Sequence, residues 1–437
     1  MPPLGRYGLL LRRGNYAAAG LSTESLWKHP DFLKLWTGQT VSRLGSVVTR
    51  TALPLVALLA LGAGPRELAY LVISASAAVL LVGLVAGAWV DRLRRRPILI
   101  STDVIRAALL FWIPIAYAIG ALRIEQLYAV AFIEACLASL FNAAYPAYVP
   151  SLIGTDRVVE ANSKLATSSS VAEIGGPGLA GALVQIVSAP FAILVDAFSF
   201  VVSAVSLAAV RSPEPPRPAR DVATRISHEI AEGLWIVRRH SILVPLAARS
   251  ILAHVFGAFY AVLYSIYLLQ DLHLDPILLG IVISAGGVGS LVASFFASRV
   301  VRALGIGPAI IWMAIGASIV GVLTPLAQGP VAVATLMVFL PQLIGDGLQT
   351  IEGVGEISLV QGLIPDAILG RVNATLEVVS HGVGYPAGAL AAAFVAEQIG
   401  VRGAIAVGWA GMAASILFLV LSPLTRLRTA AEWRPAG

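Results

Sequence analysis

Apolar stretches close to the length a bilayer demands, about 20 residues, recur along this chain between short polar connections. They fall at 32–61, 67–90, 97–120, 124–147, 162–187, 190–210, 242–269, 276–298, 308–327, 330–357, 373–396 and 403–423, which predicts twelve transmembrane helices. The connections alternate in basic charge. One set holds Arg92, Arg94, Arg95 and Arg96, then Arg157 and Lys164, the long middle loop, Arg299 with Arg302, and Arg371; the other holds Arg66, Arg123 and Arg402. By the positive-inside rule the first set is cytoplasmic. An even helix count then places both termini there, in keeping with Arg426, Arg428 and Arg434 at one end and Arg6, Arg12, Arg13 and Lys28 at the other. The apolar patch at 9–11 is too short for the core of a secretory signal, so residues 1–31 read as a basic cytoplasmic tail.

The middle loop, 211–241, opens on the proline-rich Arg211-Ser-Pro-Glu-Pro-Pro-Arg-Pro, an extended segment because proline fixes φ and donates no hydrogen bond. Val222, Ile226, Ile230 and Leu234 then recur every four positions, the pattern of an amphipathic helix on the cytoplasmic membrane face. This linker separates a six-helix unit at 32–210 from a second at 242–423, with a cytoplasmic tail at 424–437. A shift of 211 residues lays Pro97 on Pro308, Leu152-Ile153 on Leu363-Ile364 and Asn162 on Asn373, the mark of a duplicated bundle.

Composition agrees. Of 437 residues 58% are hydrophobic and 12% charged, too little charge to cover a soluble fold. The formal charge of +6 follows the topology of the loops, so it points to the membrane rather than to nucleic acid. With one cysteine, Cys136, there is neither an intrachain disulfide nor a cysteine metal cluster.

After the second span comes Gly87-Ala-Trp-Val-Asp91-Arg92-Leu-Arg94-Arg95-Arg96, which resembles the G-x-x-x-D-R-x-G-R-R signature of the major facilitator superfamily, with Arg94 in place of the glycine. Phe141-Asn-Ala-Ala-Tyr-Pro146, Glu160-Ala-Asn162, Gly176-Pro177-Gly-Leu-Ala-Gly181 and Pro365-Asp366-Ala-Ile-Leu-Gly370-Arg371 are similar to the branch holding enterobactin exporters and macrolide-efflux proteins. The resemblance implies an all-α major facilitator fold of two pseudo-symmetric six-helix bundles, alternating access, and export driven by proton antiport. It casts Gly87, Asp91, Arg92, Arg95 and Arg96 as a cytoplasmic gate in which the acid and the arginines latch one half against the other. Gly83 with Gly87 offers a small face for close helix packing. Gly176, Pro177 and Gly181 resemble the antiporter signature, with Ala172 and Ala180 replacing two of its glycines and Gly384, Pro386 and Gly388 as a counterpart. They allow that helix to bend and approach a neighbour closely.

Charges at the bilayer centre cost roughly 2.5–3.5 kcal/mol on insertion scales, so those that persist point to function. Arg43, Glu134, Glu173, His254, Asp346 and His381 fall near mid-depth. The family fold implies that spans 1, 4, 7 and 10 line the cavity. The expected pairs are Arg43 with Glu134 and, at the repeat-related places, His254 with Asp346. Glu134 is the first candidate for the proton carrier, followed by Asp346 and Glu173. Asp103 and Arg106, three apart, are expected to pair locally, while Asp196, Glu352, Glu356 and Glu377 serve structure or gating. Trp36, Gln39, Phe111, Trp112, Phe141, Tyr145, Phe259, Tyr260 and Tyr264 are candidates to contact a bulky amphiphile.

Enzyme chemistry finds no purchase. His228-Glu229 lacks the second histidine of a zinc-hydrolase helix, no phosphate-binding loop occurs, and Gly286-Gly-Val-Gly289 lies inside an apolar span. The chain reads as a monomeric multi-pass exporter of the inner membrane, without cofactor or metal, carrying a drug, antibiotic or siderophore against protons. Proton-coupled uptake of a metabolite and a non-transporting scaffold are the alternatives.

Overall fold

Backbone groups in lipid find no water, so each apolar stretch must satisfy its own hydrogen bonds, and a helix does this within one segment. The computed structural model describes residues 25–214 and 226–428, apart from the side chains at 83–89, 91, 92, 226–231, 233, 366, 367 and 371. The tails at 1–24 and 429–437 and the proline-rich stretch beyond 214 lie outside the described residues. Among the described residues there are helices and no strands.

The first bundle comprises α1 (Pro30–Ala60), α2 (Pro65–Arg92), α3 (Arg95–Ala118), α4 (Ile124–Ile153), α5 (Val158–Val187) and α6 (Ala189–Ala208). The second comprises α7 (Leu243–Asp271), α8 (Pro276–Leu304), α9 (Ile306–Leu326) and α10 (Val331–Leu363), followed by a helical run to Val420. Gly400, with φ 80°, breaks that run into α11 (366–399) and α12 (401–420). All twelve predicted spans are therefore present.

The internal repeat is written in the backbone. A π turn closes α1 at Val56–Ala60 and α7 at Tyr267–Asp271, the same 211 residues on. The Ala63 N–H donates to the Ala57 carbonyl at 2.9 Å, as the Leu274 N–H does to that of Leu268 at 2.9 Å. Gly62 and His273 both take positive φ, and Pro65 and Pro276 then start α2 and α8 at the first helical position, where a missing N–H costs nothing. α3 and α9 begin at Arg95 and Ile306, again at this shift.

Within the first bundle α1 packs on α5 and α6, α3 on α4 and α6, and α2 on α4. Within the second, α7 lies along α11 and α12, while α8 and α9 pack on α10. Two seams join the bundles: α5 against α8, and α2 against α7 and α11. The α5–α8 seam is tight because glycines line it. A Cβ on Gly280 would meet the Pro177 carbonyl and one on Gly181 the carbonyl of Pro276. Gly176 faces inward instead, onto Val47 of α1, and Gly388 packs on the backbone of Val255 in α7.

Residues 25 and 428 lie on the same face, here called the terminal face. The far face is closed: Gly178 N–H donates to Ser284 Oγ at 3.0 Å, Ile277 N–H to Gln185 Oε1 at 3.3 Å, and Arg66 reaches Glu397 at 2.7 Å. Toward the terminal face the bundles part. Polar Asn162, Ser163 and Thr167 on α5 and Ser294 on α8 are exposed there, as expected of helices flanking a watery cleft. The first turns of α11 (Asp366–Glu377) pack on the linker helix Ile226–Arg239, and the part of its apolar pattern before Ile226, with Val222, lies outside the described residues. Leu234 and Trp235 of that helix are exposed and Val237 is buried.

Candidate functional site

Four connected lobes form a cleft at mid-depth. One lies inside the first bundle beside Gln39, Arg43, Arg106, Phe141 and Tyr145. A second, richer in apolar walls, shares Arg43 and adds Arg50, Glu134 and Asp196. A third, about 450 Å³, lies between the bundles, with Arg50 and Glu173 on one wall and Gln342 and Asp346 on the other. Gln342 and Asp346 also border a fourth lobe inside the second bundle, with Tyr260, Tyr264 and Glu352.

Helix neighbours decide which charges meet. Because α3 lies beside α4, Arg106 gives Nε to Glu134 Oε1 at 3.0 Å and Nη2 to the same oxygen, while its guanidinium stacks 3.9 Å from the centre of the Phe200 ring. The predicted Arg43–Glu134 pair is not formed. α1 packs on α5, so Arg43 turns to Glu173 Oε1 at 3.6 Å, and Arg50 takes the other oxygen of that carboxylate. Asp103 and Arg106 do not close the expected local pair either. Asp103 is fully buried, as is Asp196, whose Oδ1 accepts from Ser199 Oγ at 2.9 Å; both carboxyls stand within electrostatic reach of Arg106.

In the second bundle the predicted His254–Asp346 pair is likewise absent, since α7 runs along α11 and α10 along α8. His254 meets His381, ring centres 4.1 Å apart, and its Nδ1 lies 2.7 Å from the Ser250 carbonyl oxygen. Asp346 faces Gly286 of α8, directly after a π turn at Pro341–Gly345. Proline lacks the N–H that an α turn would use there, and the widened turn carries Gln342 and Asp346 to the cleft. A pair not evident in the sequence is Arg249 with Glu352 at 3.0 Å, both little exposed and on the wall of the fourth lobe.

Arg95 and Arg96 work within one bundle. Arg95 N–H donates to Glu214 Oε1 at 2.9 Å and its side chain to the Ala147 carbonyl, and Arg96 caps α6 through the carbonyls of Leu207 (3.0 Å) and Ala208 (2.7 Å). The surroundings of Gly83 and Gly87 and the side chains of Asp91 and Arg92 lie outside what is described. Of the aromatic candidates, Phe141, Tyr145, Tyr260 and Tyr264 line the cleft with Gln39. Trp36 packs edge-on against Trp27 at 4.9 Å, Phe111 against Phe198, and Phe259 is core; Trp112 is exposed on α3. None of these four borders the described lobes.

A twelve-helix duplicated fold around a charged cleft narrows the possibilities, and residues 35–380 match the family model of the Major Facilitator Superfamily. The chain belongs to that superfamily. The transporter is 23% identical over 313 residues to the uncharacterized MFS-type transporter YvqJ of Bacillus subtilis (strain 168), covering 70% of this chain and 72% of that one. Its fold matches the nucleoside transporter NupG with a TM-score of 0.73 at 12% identity, covering 92% of this chain and 100% of that one. It also matches a bacterial homologue of the iron transporter ferroportin in its inward-facing state, at 0.72 and 18% identity over 91% of this chain and 99% of the other. The outward-facing state of such a homologue gives 0.56 at 18% identity, over 90% and 98% of the two chains.

Proposed function

We propose that this transporter exports a small amphiphilic molecule from the cytoplasm by alternating access, in exchange for protons, as a single chain in the inner membrane. The observation that carries the reading is a cleft lined by charged groups of both bundles, open on the arginine-rich face and closed on the other by Arg66–Glu397 and the glycine-lined α5–α8 seam. By the positive-inside rule the open face is cytoplasmic, so substrate enters from there. Export, rather than uptake, is favoured by the Gly176-Pro177 signature, whose glycines seat α5 against α1 and α8.

Protons fit as the counter-ion because the carboxyls of Glu134, Asp103 and Asp196 gather about Arg106, beside a lobe that Arg43 and Arg50 also line, so a movement that parts Glu134 from Arg106 leaves a carboxylate free to take up a proton. Glu134, which borders the cleft, is the member placed to exchange protons with water. The test is counterflow in proteoliposomes loaded with a pH dye. Addition of a transported drug or catecholate siderophore should release protons from the wild type, and Glu134→Gln should carry substrate without moving protons. A Glu134→Gln protein whose proton flux equals wild type would refute the role.

A further inference from the structure

We infer that the cleft recognises an oxyanion on its substrate, a carboxylate, sulfonate or phosphate, through Arg43 and Arg50, and that Glu173 holds the place of that group in the empty carrier. This rests on the transporter reading above and names the chemistry of its substrate.

Arg43 and Arg50 are seven residues apart on α1, two turns or about 10 Å, and so share a face. A single carboxylate serves both, Oε1 of Glu173 for Arg43 and Oε2 for Arg50. A guanidinium carries five N–H donors in a planar fork that suits two oxygens at once. Two such forks sharing one carboxylate leave most donors unused, and these three side chains together carry a positive charge, while Glu134, paired with Arg106, and the buried Asp196 border the adjoining part of the same lobe. The Arg249–Glu352 pair is far less exposed, at 11% and 7% of the side chains. Here the side chains of Arg43 and Arg50 are 51% and 62% exposed, and Glu173 is 34% exposed.

The surroundings suit an anion with an apolar body. Hydroxyls of Ser46 on α1 and of Ser169 on α5 border the same lobes and can supply further donors. Next to the arginines the wall turns apolar, with Val47, Leu53, Leu71 and Val130. The opposite wall carries Asp346, which disfavours an anion there and orients the charged end toward α1.

The test uses one ring with different charges. Full-length protein in nanodiscs is dialysed to equilibrium against naphthalene-1-sulfonate, 1-naphthyl phosphate, neutral 1-naphthol and cationic 1-naphthylmethylammonium. Wild type should retain both anions over the other two. Arg43→Gln and Arg50→Gln should each weaken anion retention by about tenfold, the loss of charge-assisted hydrogen bonds. Glu173→Gln should tighten it several-fold, and this gain of function does not depend on how well the arginine variants fold. Equal retention of all four probes, no retention of either anion by wild type and Glu173→Gln alike, or weaker anion binding in Glu173→Gln overturns the inference. Flux of the neutral or cationic probe into proteoliposomes with the anions excluded does the same and leaves the carrier reading standing. Anion binding without flux of any probe supports the inference and strikes the carrier reading.

Discussion

Arg66 at the start of α2 and Glu397 near the end of α11 meet at 2.7 Å, joining the two bundles at the far face, 331 residues apart in the chain. The pair forms in this state because the seam that carries it is shut, so it biases the equilibrium between states and not the stability of either bundle.

Exposed ion pairs are weak, so Arg66→Gln or Glu397→Gln should shift the population toward an open far face by no more than a few-fold. Spin labels placed on α2 and α11 near this pair would report the distance distribution, with growth of a longer component expected. Charge reversal of both residues together should restore the wild-type distribution. If the double exchange behaves like either single variant, the pair does not set the gate.

Gly280 gives a sharper lesion. Its missing Cβ lets α8 rest on the Pro177 carbonyl of α5, and a methyl there has backbone in its way. Gly280→Ala should hold the seam apart, raise labelling of far-face cysteines by a membrane-impermeant maleimide, and abolish transport with expression unchanged. Unaltered labelling would mean that the seam tolerates the extra atom and closes elsewhere.

Arg249 and Glu352 are predicted to matter for stability. Removing one partner of a buried pair strands the other charge, so Glu352→Gln should destabilise by about 3 kcal/mol and lower the melting temperature of the purified protein clearly. Replacing both by apolar residues of similar volume, Arg249→Met with Glu352→Leu, should recover most of that loss. If the double variant melts as low as the single, the pair contributes more than mutual neutralisation.

What was legible in the sequence follows from the bilayer. The backbone must satisfy its own hydrogen bonds in lipid, so length and hydropathy alone located all twelve spans, including the pair divided at Gly400, and the shift of 211 residues reappears in the π turns of α1 and α7. The mid-depth charges stood out for the same reason, and Arg43, Glu134, Glu173 and Asp346 do border the cleft. Arg50 was within reach of the same logic, since it lies two turns from Arg43 on one face.

Partnership was not legible. Arg106 lies 28 residues from Glu134 and Arg43 lies 130 from Glu173, separations that spacing along a helix does not constrain. The chain alone establishes which segments cross the membrane and which charges they carry. Which charges meet is decided by which helices pack side by side, and small residues such as Gly181 and Gly280, by letting backbones touch, settle that only once the bundle is assembled.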